Sequence, residues 1–310
     1  MPLRIITFGV GLFILTTTAN LALADSRMFL NQYLQFSAVT KPIDKNLALR
    51  IQSHEQGRRL RVNVYGFVDY PYSQVADVLV SPAAMCGFLI LNMNVKACTY
   101  SQGERRVNMT IYVAGKKYAP LYRAMKIEPH FELQERNSKY LKVLMTSPRG
   151  RWGIKEYSVL VEASPYANKT LVRFSSNYET SRLNKAATSM YLKTFARKKV
   201  GFTVVGRNQS GQPEYVRGMQ GVIERNAVRS YLALQAYLET ASVPPSQRLE
   251  SRLRLWFGLT DVYSRQLHEM DRQSYLNNKK REYQNQLRLQ QQLSIRTSKR
   301  RPQHGQSTDG

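Results

Sequence analysis

The alternation of hydrophobic and polar residues in the middle of the chain has a period of two. From Arg59 to Val68, Leu60, Val62 and Val64 alternate with polar residues, which predicts a strand with one apolar face. Six further candidate strands, separated by glycine and proline turn signals, predict an antiparallel meander; they lie at 95–101, 106–113, 127–135, 140–145, 154–163 and 170–178. Between the first and second strands, residues 75–79 and the segment that starts at Ser81-Pro82 predict two short helices.

A helical spacing of apolar residues follows the predicted strands. It is weak at 183–195 and strong at 219–238, where one stripe contains Met219, Val222, Ile223, Ala227, Tyr231, Leu234 and Leu238. Val243-Pro244-Pro245 ends this helix, and a basic helical extension is predicted at 241–296. The polar, basic residues 297–310 are predicted to be disordered.

The first residues have the order of a secretory signal peptide. Arg4 precedes an apolar run, and Ala22-Leu23-Ala24 forms a small-x-small cleavage site before Asp25. We therefore expect residues 1–24 to be removed and the protein to be exported to the periplasm. The alternative is an uncleaved membrane anchor, because residues 5–24 have about the length that a bilayer needs. Residues 25–57 are then predicted to form a lead-in helix and a connector.

The charge balance restricts the partners of the chain. Its 46 basic and 21 acidic residues give a net charge of +25, and such a surface attracts polyanions. The sequence has no zinc knuckle, phosphate-binding glycine loop or RNA-binding aromatic motif, so nucleic acid is not expected. Export favours anionic lipid headgroups or acidic envelope polymers. Alternatively, the high pI only suits the source organism.

The residue types that carry most chemistry are few and scattered. Cys86 and Cys98 predict a disulfide in an oxidising compartment, although two buried thiols remain the alternative. A bridge across so short a loop would stabilise the fold by about 3 kcal/mol. The four histidines, His54, His130, His268 and His304, form no catalytic or metal-binding spacing. We expect a protein without catalytic residues, metal or cofactor.

The predicted order of a strand, two short helices, a meander and a long helix resembles the START-like, polyketide-cyclase-like (SRPBCC, helix-grip) superfamily. The sequence RVNVYGFV at 61–68, followed by Pro71 and the 75–79 helix, is similar to the opening of that fold, and residues 221–238 take the place of its long C-terminal helix. The resemblance covers about residues 58–240. It implies an α+β helix-grip fold, in which a curved seven-stranded antiparallel sheet surrounds the long helix. Residues 181–218 and the extension after Pro245 depart from the minimal domain.

The resemblance also implies an apolar cavity for lipids, sterols or polyketides between the sheet and the helix. Candidate ligand-binding residues, which could equally be ordinary core, are Tyr65, Tyr112, Trp152, Phe174, Tyr178, Met219, Ile223 and Tyr231. Arg225 and Arg229 lie one helical turn apart and have like charges, so an anionic headgroup between them would relieve their repulsion. The alternative for both arginines is a solvated outer face of the helix.

Three functions fit these features. The first is periplasmic binding or transport of a hydrophobic or amphipathic ligand, with basic residues that dock on an anionic membrane. The second is a non-enzymatic envelope scaffold that acts through the basic C-terminal helix, and the third is a cyclase-like or hydrolase-like enzyme. The C-terminal helical region, from Leu249 through Met270 to Arg281, would lie on a membrane surface, pack on its own domain, or form a homo-oligomer with a second copy.

Overall fold

The computed structural model describes residues 11–43, 49–102, 107–149, 154–180 and 199–300. Within these ranges it describes side chains from residue 25 onward, except those of residues 149, 154, 155, 180 and 298–300. Four predictions lie wholly or partly outside these residues: the start of the signal peptide, Trp152, the weak helix at 183–195, and the tail at 301–310. Across the described ranges, no helix combines the length and the hydropathy that crossing a membrane requires.

A strongly curved antiparallel sheet of nine strands forms the centre of the fold. Its strands are β1 (Arg50–Gln56), β2 (Arg59–Val68), β3 (Val95–Gln102), β4 (Val107–Val113), β5 (Met125–Ile127), β6 (His130–Arg136), β7 (Leu141–Arg149), β8 (Ile154–Tyr166) and β9 (Lys169–Thr180). The spatial order is β1-β2-β9-β8-β7-β6-β4-β3, and β5 pairs with β4. A separate two-stranded hairpin contains β10 (Val204–Arg207) and β11 (Pro213–Tyr215).

Seven helices accompany the sheet in the described ranges. They are α1 (Gly11–Val39), α2 (Tyr72–Val80), α3 (Pro82–Leu89), α4 (Gly218–Glu239), α5 (Pro245–Asp261), α6 (Ser264–Leu267) and α7 (Arg272–Arg300). Ser81 caps α3, because its hydroxyl accepts a hydrogen bond from the Ala84 N–H at 3.2 Å and Pro82 occupies the first turn. The predicted helix-grip class is confirmed: a curved antiparallel sheet surrounds a long helix, here α4.

Two strands of the sheet were not predicted. Residues 50–56 were predicted to be part of a connector, but they form β1 and pair with β2 through a hairpin at Gly57, whose φ is +62°. Only Ile51 of this edge strand is buried, so the sequence has no apolar alternation there. The predicted strand at 127–135 is divided into β5 and β6, because Pro129 has no N–H to donate to the ladder.

The inner face of the sheet packs against α4. Val62, Val64 and Phe174 come from neighbouring strands and join Tyr231 and Leu234 of α4 in one buried cluster. Gly66 allows this approach, since a Cβ atom there would lie 2.5 Å from Cζ of Tyr231. The predicted disulfide between Cys86 and Cys98 is present and joins α3 to β3.

The outer face of the sheet is covered by α1. Phe29 and Tyr33 of this helix pack against Tyr65, Tyr140 and Leu171. The helix continues without interruption through Ala24, the predicted cleavage position, and cleavage there stays a prediction.

The C-terminal helices pack on the same domain. Trp256 of α5 stacks on Tyr275 of α7 with ring centroids 5.1 Å apart, and both side chains are fully buried. The hydroxyl of Tyr275 donates a hydrogen bond to the Leu91 carbonyl at 2.8 Å. In this structure the C-terminal helical region therefore packs on its own domain, which is one of the three arrangements expected from the sequence. Helix α7 reaches Arg300 and so enters the range 297–310, where disorder stays a prediction.

Candidate functional site

A cavity of about 490 Å³ lies between α4 and the inner face of the sheet. Its volume is within the usual range for small-molecule sites. Most of its wall is apolar, and representative side chains are those of Phe88, Ile111, Met145, Val159, Phe174 and Ile223. The curvature of the sheet leaves this space because the strands bend away from the straight helix.

The strand alternation determines which side chains reach the cavity. On β9, Phe174 and Ser176 line it, whereas Arg173 lies on the outer face beside Tyr65. On β8, Tyr157 and Val159 line it in the same phase. Burial raises the pKa of the Tyr157 hydroxyl, so this group stays protonated and can donate a hydrogen bond inside the cavity.

One end of the cavity is polar and basic. Arg225 and Arg229 of α4 lie in its wall together with Lys116, Lys199 and Glu269. Glu269 follows α6 in the chain and binds three of these cations: Arg229 Nη2 lies 3.2 Å from its Oε1, and the Nζ atoms of Lys199 and Lys116 lie 2.5 and 3.8 Å from its Oε2. Three cations therefore share one carboxylate and Arg225 lies in the same wall, which leaves this end with excess positive charge.

Both arginines have unused hydrogen-bonding capacity. Arg225 is 4% exposed and donates from Nη1 to the Val200 carbonyl, and Arg229 is 2% exposed and donates from Nη2 to the Leu267 carbonyl. The Nε atom of each has no hydrogen-bond partner among the described residues. Burial, and next the charge of Arg229, lowers the pKa of Arg225 to about 10, so it remains cationic at neutral pH. Burial also lowers the pKa of Arg229.

Glu269 is held in its ionised form. Burial alone would raise the pKa of its carboxyl, but the hydrogen bond from Lys199 and the charge of Arg229 outweigh burial and lower it. At neutral pH this carboxylate accepts hydrogen bonds and does not donate a proton. It is a counter-ion for the cationic end of the cavity.

Glu224, the neighbour of Arg225, faces a different part of the molecule. Its carboxylate accepts hydrogen bonds from the backbone N–H groups of Phe202 and Thr203, at 2.6 and 3.0 Å, and from the Ser53 hydroxyl. This residue fixes residues 199–203 against α4, and it thereby places Lys199 at the cavity wall.

The structure brings five of the predicted site residues to the cavity wall. They are Phe174, Met219, Ile223, Arg225 and Arg229. The solvated outer face that was the alternative for the two arginines is wrong, since both side chains are almost fully buried. Whether any of the five contacts a ligand stays a prediction.

Four predicted aromatic residues do not line the cavity. Tyr65 and Tyr112 lie on the outer face, one residue out of phase with the inward Val64 and Ile111. Tyr178 is buried in the core beyond Ser176, and its hydroxyl has no hydrogen-bond partner within the described part of the chain. Tyr231 fills the contact with β2, where its hydroxyl donates to the Phe67 carbonyl at 2.7 Å.

Sequence reasoning missed Lys116, Lys199 and Glu269. They come from the loop after β4, the segment before β10 and the loop before α7, and they meet only in the folded chain. No motif or spacing connects them. In the part of the chain that the structure describes, no group of three or more His, Cys, Asp or Glu side chains could hold a metal ion.

The sequence matches no protein-family model and no curated protein. Solved structures with a similar arrangement include TTHA0849 from Thermus thermophilus, at 12% identity and a TM-score of 0.39, with 59% of this chain and 99% of that chain covered. Major latex-like protein 151 from Panax ginseng has 12% identity and a TM-score of 0.37, with 61% and 100% covered. CalU16 from Micromonospora echinospora has 11% identity and a TM-score of 0.31, with 68% and 96% covered.

Proposed function

We propose that this chain is an exported, START-like binding or carrier protein for an amphipathic anion. The apolar body of the ligand occupies the cavity between α4 and the sheet, and its anionic headgroup lies against Arg225 and Arg229. The observation that carries this proposal is the pair of buried guanidinium groups at the basic end of a largely apolar cavity.

The physical argument rests on compensation of buried charge. Placing a cation in a low-dielectric site costs several kcal/mol unless a counter-charge and hydrogen bonds offset it. Glu269 provides one carboxylate for Arg229, Lys199 and Lys116, and Arg225 adds a further buried charge, so the cluster keeps excess positive charge. A carboxylate or phosphate group beside the two guanidinium groups would offset this charge with charge-assisted hydrogen bonds. The apolar wall would contribute affinity by removing the ligand's hydrocarbon from water.

Export is part of the proposal. Ser26, Phe29 and Tyr33 all lie after the predicted cleavage position, and the Ser26 hydroxyl donates to the Lys139 carbonyl at 3.1 Å. A mature chain that begins at Asp25 would keep these contacts on the outer face of the sheet. N-terminal sequencing of the protein isolated from its native envelope should give Asp25 as the first residue. A chain that retains residues 1–24 would support the anchored alternative.

Two probes with the same hydrocarbon chain test the binding site. Dodecanoate and dodecanol differ only in the headgroup. The ratio of their dissociation constants therefore measures the contribution of the anionic headgroup to binding. Dodecanoate should bind more tightly by about 10-fold or more, since a charged hydrogen bond contributes roughly 1.5–3 kcal/mol. Native mass spectrometry of the protein purified without detergent should also show a retained ligand.

Three variants locate the binding in the structure. Arg225→Gln should remove most of the preference for dodecanoate, and Ala227→Phe should weaken both probes because Ala227 lines the cavity. Arg288→Gln makes the same charge change on the exposed surface of α7 and should change neither affinity. If the wild-type protein binds neither probe and carries no ligand, the carrier proposal is wrong. Equal affinities for the two probes would refute the anionic headgroup.

A further inference from the structure

The chain that leads from β4 into β5 borders the cavity, is basic and has an exposed aromatic side chain. We call residues 115–126 the rim segment; its ends reach the cavity, because Gly115 and Lys116 line the wall at one end and Ile127 follows at the other. It contains Lys116, Lys117, Arg123 and Lys126, and no acidic residue. The C-terminal helix α7, in contrast, uses several of its charged side chains in contacts with the domain.

From these features we infer that the rim segment is a docking surface for an anionic lipid bilayer. The inference rests on the proposed function, since a carrier of amphipathic ligands must bring its cavity entrance to the membrane that supplies or receives them. The partner is a bilayer surface, and the contact is made by the rim segment rather than by the basic C-terminal helix.

The cations of the rim segment are available for an external partner. Lys116 is engaged with Glu269, but Lys117, Arg123 and Lys126 form no ion pair with any residue that the structure describes. The Arg123 guanidinium lies 5.6 Å from the ring centroid of Tyr122, and Lys126 Nζ lies 5.8 Å from that of Tyr112. Each basic side chain held near an anionic membrane surface contributes about fivefold to binding.

Tyr122 distinguishes a bilayer from a soluble polyanion. It is 81% exposed at the turn Leu121–Arg123, beside the half-buried Leu121 and Met125. Tyrosine side chains favour the boundary between headgroups and hydrocarbon, because the ring is apolar and the hydroxyl is polar. A soluble polyanion offers no boundary of this kind for the ring to enter.

The rim segment has a fixed position relative to the C-terminal helix. The Arg281 guanidinium of α7 lies 4.0 Å from the ring centroid of Tyr118, and Asn285 donates a hydrogen bond to the Tyr118 hydroxyl at 3.3 Å. Tyr118 therefore anchors the loop while Tyr122 extends into solvent. With this geometry, the exposed side chains at the turn can contact a bilayer while the cavity entrance stays close to it.

Vesicle sedimentation with two matched triple variants tests the location of this surface. The rim variant is Lys117→Gln/Arg123→Gln/Lys126→Gln, and the helix variant is Arg272→Gln/Arg288→Gln/Arg296→Gln, which removes the same number of exposed charges from α7. Vesicles of phosphatidylcholine with about one-third phosphatidylglycerol provide the anionic surface, and phosphatidylcholine alone is the neutral reference. The rim variant should partition about 100-fold more weakly to anionic vesicles, from three contributions of about fivefold. The helix variant should change by less than about threefold.

Insertion of the rim is measured separately. Tryptophan fluorescence of Tyr122→Trp should be quenched by brominated lipid in anionic vesicles. The control is Tyr166→Trp, which should not be quenched; Tyr166 is 41% exposed and lies against Phe67.

The inference is overturned if the helix variant loses vesicle binding while the rim variant keeps it. It is also overturned if the wild-type protein does not bind anionic vesicles. If heparin competes for the rim segment and the fluorescence at position 122 is not quenched, the rim segment binds a soluble polyanion. This result also overturns the inference.

The probe titrations keep the two proposals apart. The rim variant should bind dodecanoate like the wild-type protein, because none of its three substituted residues lines the cavity. Dodecanoate binding without vesicle binding refutes the docking surface alone. Vesicle binding through the rim without dodecanoate binding refutes the carrier function and supports the docking surface.

Discussion

Two lysine ammonium groups share one carboxylate beneath α7. Lys96 Nζ lies 2.8 Å from Oε1 of Glu282, and Lys279 Nζ lies 2.6 Å from Oε2, with all three side chains about 1% exposed. Lys279 also donates to the carbonyls of Val95 and Asn92, at 2.6 and 3.2 Å. These carbonyl acceptors help to stabilise a cluster with one excess positive charge. Burial lowers the pKa of Lys279 to about 8 despite the attraction of Glu282.

The lowered pKa of Lys279 predicts that stability increases with pH above neutrality. Between pH 8 and the lysine pKa of about 10.4 in the unfolded chain, the unfolded state binds more protons at this site than the folded state. This site should therefore contribute an increase of about 1–2 kcal/mol to the free energy of unfolding between pH 8 and 9.5. Buried tyrosines such as Tyr157 and Tyr231, whose pKa values burial raises, contribute in the opposite direction as the pH approaches 10. Urea unfolding at a series of pH values measures this slope.

Two variants isolate the contribution of Lys279 to the pH dependence. Lys279→Met should reduce the slope, because it removes the titrating group. Lys280→Met changes the neighbouring exposed lysine, which pairs with Glu250 at the surface, and should leave the slope as it is. Equal slopes in the wild-type protein and Lys279→Met, or equal slopes in both variants, would contradict the assignment.

At the scale of elements, α7 completes the hydrogen bonding of an edge strand. The side-chain oxygen of Gln286 accepts from the Cys98 N–H at 2.8 Å, and Gln290 both accepts from the Tyr100 N–H and donates to the Tyr100 carbonyl at 2.9 Å. Four residues of helix advance about 6 Å, close to the roughly 6.6 Å advance of two residues of strand. This match lets successive turns of α7 reach alternate residues of β3, whose free edge would otherwise be open to another strand.

Removal of the two glutamine side chains should destabilise the protein and expose its sheet edge. Gln286→Ala/Gln290→Ala leaves buried backbone groups of β3 without partners, at about 1–3 kcal/mol for each such group. We expect a fall of about 2–4 kcal/mol in unfolding free energy and faster aggregation on mild heating, measured by urea unfolding and light scattering.

Gln291→Ala/Gln292→Ala is the matched control for the edge-strand experiment. These residues lie in the same run of glutamines but are exposed, so stability should change by less than about 0.5 kcal/mol. Equal effects of the two double variants would show that the glutamines act through helix propensity rather than through β3.

At the scale of the whole molecule, the net charge of +25 opposes folding through repulsion between like charges. Ion pairs with both partners exposed contribute little against this repulsion, as for Lys169–Asp69 and Arg254–Glu250. Repulsion is long-ranged at low ionic strength and is screened beyond about 10 Å in 0.1 M salt.

Salt should therefore stabilise the protein. We expect the melting temperature to rise by a few °C between 20 mM and 0.5 M sodium chloride, since each kcal/mol corresponds to roughly 2–4 °C for a chain of this size. Scanning calorimetry measures the shift. Chloride is preferable to sulfate, because sulfate could also bind at Arg225 and Arg229. A lower melting temperature at high salt would mean that attractive ion pairs outweigh the repulsion.

Local periodicity was sufficient to predict most of the elements. The alternation in β2, the stripe of α4 and the Ser81-Pro82 start of α3 all indicate the structure that forms there, because each depends on residues close together in sequence. The alternation of Leu60, Val62 and Val64 also places Tyr65 on the opposite face of β2, so the choice of Tyr65 as a cavity residue gave aromatic character more weight than phase.

The sequence by itself therefore determined the fold class, the disulfide partners and the two arginines one turn apart on α4. Only the tertiary structure decided that these arginines are buried, that Glu269 and two lysines meet them, and that the C-terminal helix covers the edge of β3 rather than standing apart. The physical reason is distance along the chain. Periodicity specifies which face of an element is apolar, but a charge cluster built from the loop after β4, the segment before β10 and α4 exists only once those elements have packed.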